Sequence, residues 1–571
     1  MTGLRAIGQA ETTTAPAHGA VVHLPLVREL EIGARRLAAQ QRTAEAVSLA
    51  LEQGLDDLAA ELLASGSADL VRTAGDHEVF FQVVERLGAE RLRRWPQLDA
   101  AAIWVLTMNN RLRLASVRLD ELEARIPELS AAGRSFVVEL QRTPFDRIDP
   151  ATAMPCWVGL MRSLIAAFAG EADNALRLAA QWRGAFPRAP EYELATLCCA
   201  SMLGYQLSGR WAEAERDGRR ALGIFRDERI EYGLAWSATG VGFTLFKQGR
   251  IAEAQLLLED AMRRVASGVG RPTHADVPLR LAECFVLFER GEFAALLSRA
   301  GTPLHEYPSP MLALGRVRVA VWTLLALGRP ADALAMLETA HFEGSTDARQ
   351  WWDREFAIER ARTALVAGET DRRWYAGPAS ERELLDLLAA SRRNPSPALL
   401  RTLRPWLSRA EEDRDACRFA LLLFVKARIE HDIGQGLQAR RSLGRLLTDA
   451  LTRQRIGTLA SLAPGLQPLF NEVLAGLLRD GANPDPNLTR LAALLGQPVG
   501  AGPLPAAPFA LSKRERQVAA ALLEGLSNRD IAARLHLTEQ TVKWHLWNLF
   551  QKLGVRNRTG AARLLSQHGF E

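Results

Sequence analysis

Cysteine is scarce in this chain, which holds five in 571 residues. None stands in a CxxC pair or at metal-ligand spacing from a histidine, so the sequence suggests neither a disulfide framework nor a zinc site. All five lie in apolar, helix-like stretches: Cys156, Cys198, Cys199, Cys284 and Cys417. This pattern predicts buried, reduced thiols in a cytosolic protein.

Long apolar runs are missing as well. No stretch reaches the ~18 residues that indicate a membrane-spanning helix. The N-terminus, "MTGLRAIGQAETTTAPAHGA", lacks the charged start and apolar centre of a signal peptide. The sequence therefore predicts a cytoplasmic protein with no membrane partner, in which residues 1–25 form a disordered leader.

Groups that could catalyse a reaction form no recognisable constellation. The ten histidines are scattered, and no serine, cysteine or carboxylate accompanies them in a catalytic pattern. The phosphate-binding motif GxxxxGK[ST] occurs nowhere in the chain. We therefore expect no enzyme activity, no catalytic residue, no cofactor and no metal.

Positive charge is concentrated at the C-terminus. The chain has only five lysines, and Lys513, Lys543 and Lys552 lie within residues 505–571. That segment holds ten Lys or Arg against five Asp or Glu, whereas the first 504 residues hold 61 of each sign. A basic tail on a neutral body indicates that the tail contacts a polyanion.

The body is dominated by apolar runs of helical period and by a recurring spacing of small residues. A glycine is followed by alanine five residues later and by a small or apolar residue after twelve, as in Gly209/Ala214/Ala221. The glycines from Gly170 to Gly328 are 39, 40, 42 and 37 residues apart. A glycine that ends one helix and an alanine where the next helix crosses closely predict stacked hairpins. The pattern resembles the tetratricopeptide repeat, so residues 26–480 are predicted to form an α-solenoid.

Residues 481–510 read as a short helix and a flexible linker, and residues 511–571 read as four helices. Ser512 with Glu515 and Ser527 with Asp530 have the spacing of capping boxes, and Thr538 is placed to cap the third helix. Helices two and three, joined by a tight turn, form a helix-turn-helix. The predicted fold class is therefore all-α.

The tail resembles the LuxR-type helix-turn-helix family through "RER" (514–516), "GLSN" (525–528), "TVKWH" (541–545) and "KLGV" (552–555). The resemblance implies a transcriptional regulator that binds double-stranded DNA as a homodimer or higher oligomer, with RNA polymerase as a further candidate partner. By this resemblance, Thr538 and Thr541 would contact phosphates. The positions that would face base edges are Lys543, Trp544 and Trp547. The dimer contact would lie on the fourth helix, at Leu564 and Leu565. The DNA-binding residues expected in all are Thr538, Gln540, Thr541, Lys543, Trp544, Trp547, Asn548, Gln551 and Lys552.

Two tryptophans lie opposite the apolar stripe of the third helix. At 100° per residue, Val542, Leu546, Leu549 and Leu553 share one side, and Trp544 and Trp547 point away from it. Tryptophan cannot make the bidentate base contacts of arginine or asparagine. Two interpretations remain open: apolar contact with thymine methyl groups, or a protein contact with another subunit or with the body.

The solenoid and tail together are similar to the C-terminal half of MalT-like LuxR regulators, without their nucleotide-binding domain. We expect an activator whose concave solenoid surface receives an unknown small-molecule or protein effector. Aromatic residues either line that surface or pack within the solenoid core and its hairpins. Trp351 and Trp352 are the foremost candidates for the surface among them: Trp157, Tyr205, Trp236, Trp322, Trp351, Trp352 and Trp374. The alternative is an interaction scaffold whose tail mainly dimerises.

Overall fold

A computed structural model describes residues 24–40, 42–73, 75–88, 95–131, 150–269, 275–300, 310–340, 346–480, 485–496 and 513–535. It also describes tail residues 537, 539, 542–543, 545–546, 549, 558, 561–562 and 565. All regular structure in these segments is helical, which confirms the predicted all-α class. None of their helices has both the length and the apolar character needed to span a membrane.

The helices of the first half of the body are α1 (Leu24–Ala39), α2 (Thr43–Glu52), α3 (Asp56–Ala68), α4 (His77–Leu87), α5 (Pro96–Met108), α6 (Leu112–Ala124), α7 (Ile126–Ala131), α8 (Pro150–Phe168), α9 (Ala172–Ala185), α10 (Glu191–Leu207), α11 (Trp211–Asp227), α12 (Glu231–Lys247) and α13 (Ile251–Val269). A single π-helical turn, Asp69–Thr73, extends α3.

The second half contains α14 (Asp276–Glu289), α15 (Phe293–Ala300), α16 (Pro310–Ala326), α17 (Pro330–Thr339), α18 (Thr346–Ala367), α19 (Arg382–Arg393), α20 (Pro397–Glu412), α21 (Ala416–Asp432), α22 (Gly436–Thr452), α23 (Ile456–Leu462), α24 (Gln467–Asp480) and α25 (Pro486–Gly496). The tail contributes α26 (Lys513–Leu523) and α27 (Asn528–Leu535).

Successive helices of the body pack side by side as hairpins. The turns after α10 and α12 contain Gly209 at φ 72° and Gly249 at φ 75°, a left-handed backbone that glycine adopts without strain. Five residues later, Ala214 and Ala254 are completely buried, where a larger side chain would hold the neighbouring helix away. The predicted repeat of glycine and alanine is confirmed.

The C-terminal part of the body packs back onto its middle. Helix α23 contacts both α14 and α16. At Gly457, the first turn of α23, an added Cβ would lie 2.0 Å from the carbonyl oxygen of Phe288, so this approach requires glycine. Nη1 of Arg453 donates to the carbonyl oxygen of Gln248 at 3.0 Å. The repeats therefore close around an interior space.

One hydrophobic core runs through the body from Ala34 to Leu491. Helix α25 joins it through Leu488 and Leu491, so this core continues past residue 480, the predicted end of the repeat domain. At the other end, α1 begins at Leu24, within the predicted leader 1–25, and residues 1–23 lie outside the described part. The linker positions after residue 496 lie outside it too.

Candidate functional site

The tail has a small hydrophobic core of its own. Each of the four predicted tail helices contributes buried residues: Val518, Ala519, Ala521, Leu522, Ile531, Ala532, Val542, Leu546, Leu549, Ala561 and Leu565. The predicted apolar stripe of the third helix is confirmed at Val542, Leu546 and Leu549, and Leu553 lies outside the described residues. A core shared by all four segments holds the third helix against the first two.

Polar contacts fix the turn that leads into α27. Oγ of Ser527 accepts a hydrogen bond from the backbone N–H of Asp530 at 3.2 Å and donates to its carboxylate at 2.6 Å. This confirms the predicted cap at Ser527. The Arg558 guanidinium donates to the carbonyl oxygen of Leu526, which ties the fourth segment to the same turn. Ser512 lies outside the described residues, and Glu515 is buried.

Lys543 is the predicted DNA-binding residue whose position can be described. It is exposed and follows the fully buried Val542, so the helix presents lysine to solvent beside its core face. Exposed basic residues of the same domain are Arg514, Arg516, Arg529 and Arg534. The other predicted DNA-binding residues lie outside the described part of the chain: Thr538, Gln540, Thr541, Trp544, Trp547, Asn548, Gln551 and Lys552.

The structure describes one of the two residues predicted to form the dimer contact. Leu565 is completely buried in the tail's own core, so its side chain stabilises the domain and is not presented to a second subunit in this structure. Its partner in the prediction, Leu564, lies outside the described residues. The dimer contact on the fourth helix stays a prediction.

The body contains a partly open apolar chamber of about 120 Å³. Helices α10, α12 and α18 contribute Tyr192, Trp236 and Trp351 to its wall. Aromatic rings dominate that wall: Trp104, Phe168, Tyr192, Phe225, Tyr232, Trp236 and Trp351. An apolar wall with a few polar groups is typical of small-molecule sites.

A second, larger chamber of about 430 Å³ adjoins the first. The two share wall residues, among them Gln206, Thr239 and Trp351. The second chamber is rich in charge: Lys247, Arg318, Arg354, Arg362, Arg409, Arg418 and Arg455 against Glu355, Glu359, Glu381, Asp413 and Asp415. Since its wall includes α12 and α18 as well as α21 and α23, it lies where the C-terminal repeats close onto the middle ones.

Ion pairs order this charged chamber. Nη2 of Arg318 lies 2.8 Å from Oε2 of Glu355, and Trp322 Nε1 donates to Oε1 of Glu359 at 2.6 Å. Burial opposes ionisation of Glu355, but the positive charges of Arg318 and Lys247 outweigh it and lower its pKa to about 2. Glu355 is therefore a carboxylate at neutral pH.

The two tryptophans expected at a ligand site have different surroundings. Trp351 is half-buried and lines both chambers. Trp352 is 4% exposed and stacks on Phe356 with ring centroids 5.2 Å apart, away from both chambers. Trp352 instead lines a separate pocket with Phe356 and Arg360, and its part in ligand binding stays a prediction.

The remaining aromatic candidates also fall into two groups, those that line a chamber and those that do not. Trp236 and Trp322 line the chambers. Trp157 and Trp374 belong to the body core, and Tyr205 packs under the guanidinium of Arg210 at 4.6 Å.

The charged wall of α18 was not anticipated. Its residues recur on one helix face: Trp351, Arg354, Glu355, Ile358, Glu359 and Arg362. This is the spacing of a buried stripe in which four of six members are charged, a signal that was available in the sequence.

Comparison with known proteins identifies two segments. Residues 510–565 match the family described as "Bacterial regulatory proteins, luxR family", and residues 234–276 match "Tetratricopeptide repeat". The tail is thus a LuxR-type DNA-binding domain, and the body contains a tetratricopeptide repeat. Both resemblances inferred from the sequence are confirmed.

Two similar curated proteins match over short segments of this chain. The "Probable transcriptional regulatory protein SgaR" of Hyphomicrobium methylovorum is 52% identical over 54 residues, which are 10% of this chain and 26% of that protein. The "Nitrate/nitrite response regulator protein NarP" of Escherichia coli is 49% identical over 61 residues, 10% of this chain and 28% of that protein. The chain thus spans about a quarter of the length of these relatives.

One solved structure aligns with much of the body. The "Rap conjugation gene regulator of the plasmid pLS20 in complex with the Phr* peptide" covers 77% of this chain and 98% of its own, at 13% identity and a TM-score of 0.33. A likeness of that size identifies neither a shared fold nor a shared ligand.

Proposed function

We propose that this protein is a DNA-binding transcriptional regulator whose helical-repeat body receives a signal and controls the LuxR-type tail. The observation that carries the proposal is the tail itself, which has a LuxR-family sequence and a self-contained core with an exposed lysine on its third helix. The relatives that share this domain are named as transcriptional or response regulators. Double-stranded DNA is the partner that the basic tail favours.

The third helix is proposed to enter the major groove. Its buried stripe at Val542, Leu546 and Leu549 leaves the opposite side for DNA. By family position, Thr538 and Thr541 would bind phosphates, and the positions of Lys543, Trp544 and Trp547 would face base edges. The surrounding residues Gln540, Asn548, Gln551 and Lys552 complete the proposed surface.

The body is proposed to bind a small molecule rather than a protein effector. Its two joined chambers have aromatic and charged walls formed from many repeats, and the larger is within the ~300–1,000 Å³ range of small-molecule sites. Binding there would shift the equilibrium between arrangements of the repeats. The charged chamber is bounded by α21 and α23, which belong to the C-terminal repeats that precede the tail. We propose that the shift alters whether the tail can dimerise on DNA.

Transcriptional activation, with RNA polymerase as a partner of the DNA-bound homodimer, is the outcome we propose. The test begins with selection of DNA sequences by the full-length protein, followed by measurement of affinity over a range of salt concentrations. Sequence-selective binding that weakens with salt is the expected result. Absence of selective binding by the full-length protein would favour the interaction scaffold instead.

A further inference from the structure

We propose that the joined chambers bind one small amphipathic carboxylate, with its apolar part in the aromatic chamber and its carboxylate among the arginines of the charged chamber. This inference rests on the proposed role of the body as the receiver of a signal, and it names the chemical class of that signal. Three independent features of the walls support it.

Three helices pass from the aromatic chamber to the charged one in the same chain direction. Helix α10 runs from Tyr192 to Gln206, α12 from Tyr232 to Lys247, and α18 from Trp351 to Arg362. With a rise of about 1.5 Å per residue, Arg354 lies about 4–5 Å beyond Trp351 along the helix axis, and Arg362 about 16 Å beyond it. The walls therefore form a polarity gradient on the length scale of a small organic molecule.

The size of the aromatic chamber limits the apolar part. Its volume of about 120 Å³ is slightly smaller than the ~150 Å³ of an engineered apolar cavity that holds benzene. Trp236 and Trp351 stand at its wall, so a single aromatic ring or a short alkyl chain would fit.

The net charge of the second chamber favours a monoanion. Its wall carries seven basic and five acidic residues, and Glu289 behind it pairs with Arg455 at 2.9 Å. With Glu289 included, positive charges exceed negative ones by one. Arg354 is the natural anchor, because its nearest carboxylate, on Glu355, is 3.6 Å away and is bound more closely by Arg318. A guanidinium binds a carboxylate through two parallel hydrogen bonds. An amine would add a positive charge where positive charge is already in excess, whereas a carboxylate would balance that excess.

The test uses 4-phenylbutyrate and octanoate as probes, with 4-phenylbutanol and 4-phenylbutylamine as isosteres that lack the negative charge. Binding to the full-length protein is measured by titration calorimetry without DNA. We expect a carboxylate probe to bind, and the alcohol and amine to bind at least about tenfold more weakly. Equal affinity for the amine or alcohol, or no binding of either carboxylate, would overturn the proposal.

Two variants and a control locate the site. Arg354→Ala should weaken carboxylate binding by about tenfold or more, and Arg354→Lys should recover part of the loss because the charge returns. Arg401→Ala removes an exposed arginine of α20 that lines neither chamber and should leave the affinity unchanged. If Arg354→Ala bound the probe as well as wild type, Arg354 would not be the residue that binds the carboxylate.

Failure of this proposal and failure of the regulatory one are separable. The calorimetric titration contains no DNA, and DNA selection by the full-length protein requires no carboxylate. A regulator that binds DNA selectively but no carboxylate would keep its proposed function and lose this ligand class. A protein that binds the carboxylate but no DNA would lose the proposed regulatory function.

Discussion

Arg455 donates from Nε and Nη2 to Oε1 of Glu289, at 3.0 and 2.9 Å, although 166 residues separate them in the chain. The Glu289 side chain is 0% exposed, and that of Arg455 is 2% exposed. Thr458 adds bonds from its backbone N–H, at 2.9 Å, and from its hydroxyl, at 2.6 Å. This pair joins α14 to the start of α23, where the repeats close and the charged chamber forms.

Glu289→Ala should destabilise the closed body strongly. It leaves the Arg455 charge buried without its counter-ion, which typically costs about 3–5 kcal/mol. Urea unfolding of the full-length protein, followed by tryptophan fluorescence, measures the change. Glu292→Ala is the control, because its pair with Arg290 is partly exposed and should contribute under about 1 kcal/mol. Equal losses in the two variants would contradict the buried role of Glu289.

Gly457→Ala should open the same contact by steric means. Its Cβ would meet the carbonyl oxygen of Phe288 at 2.0 Å, and moving that backbone should cost about 1–3 kcal/mol. In α22, Gly444→Ala meets nothing within 4 Å and should instead stabilise the helix by roughly 0.5–1 kcal/mol. Thermal unfolding midpoints should therefore move in opposite directions, and a shared direction would argue against the close approach.

Acid should lower the stability of the folded body, because His77 is buried in its neutral form. Burial lowers the pKa of His77 to about 4, and a hydrogen bond to the Val71 carbonyl oxygen, which would raise the pKa, is the smaller effect. The side-chain amide of Asn109 donates to Nδ1 of His77 at 3.2 Å. The folded state thus holds the neutral ring, and the unfolded chain binds a proton below its ordinary pKa of ~6.5. Stability from His77 is complete above that pH and is lost as pH falls towards 4, by up to about 3 kcal/mol.

The measurement for His77 is the thermal unfolding midpoint between pH 7.5 and pH 4.5. His77→Gln removes the titrating ring and should show a smaller acid-induced fall than wild type. The exposed His431→Gln is the matched control and should follow wild type. A wild-type slope in His77→Gln would show that other groups cause the acid sensitivity.

Lys543→Ala should reduce the salt dependence of DNA binding. Each phosphate contact adds about 0.9 to the slope of log affinity against log salt concentration, so loss of one contact should lower the slope by about that amount. Fluorescence anisotropy with a selected DNA sequence measures the slope. Arg401→Ala removes an exposed charge from the body and should leave the slope unchanged; an unchanged slope in Lys543→Ala would remove this lysine from the proposed interface.

Trp544→Ala distinguishes the two interpretations of the tryptophans. If Trp544 contacts thymine methyl groups, affinity at fixed salt should fall by about tenfold and preference at one base pair should relax. If it is covered by protein, affinity should stay the same or rise when the cover is lost. The DNA interpretation does not survive unchanged affinity together with unchanged sequence preference.

Local features of the structure were predictable because they depend on residues close in sequence. The Gly209–Ala214 spacing, the cap at Ser527 and the stripe at Val542 and Leu546 each follow from helical geometry over one to three turns. The roles expected of Trp352 and Leu565 depended on what lies opposite them. Both side chains turn inward, because the nearest apolar neighbours of each belong to its own domain.

The sequence by itself determined the all-α class, the repeated hairpins and the LuxR-type tail, since periodicity, turn residues and motifs act over short stretches. Only the tertiary structure decided that the repeats close through Arg455 and Glu289, and that Trp351 stands between an aromatic and a charged chamber. Those relationships join residues more than a hundred positions apart. They depend on how many successive hairpins pack against one another, which no short stretch of sequence specifies.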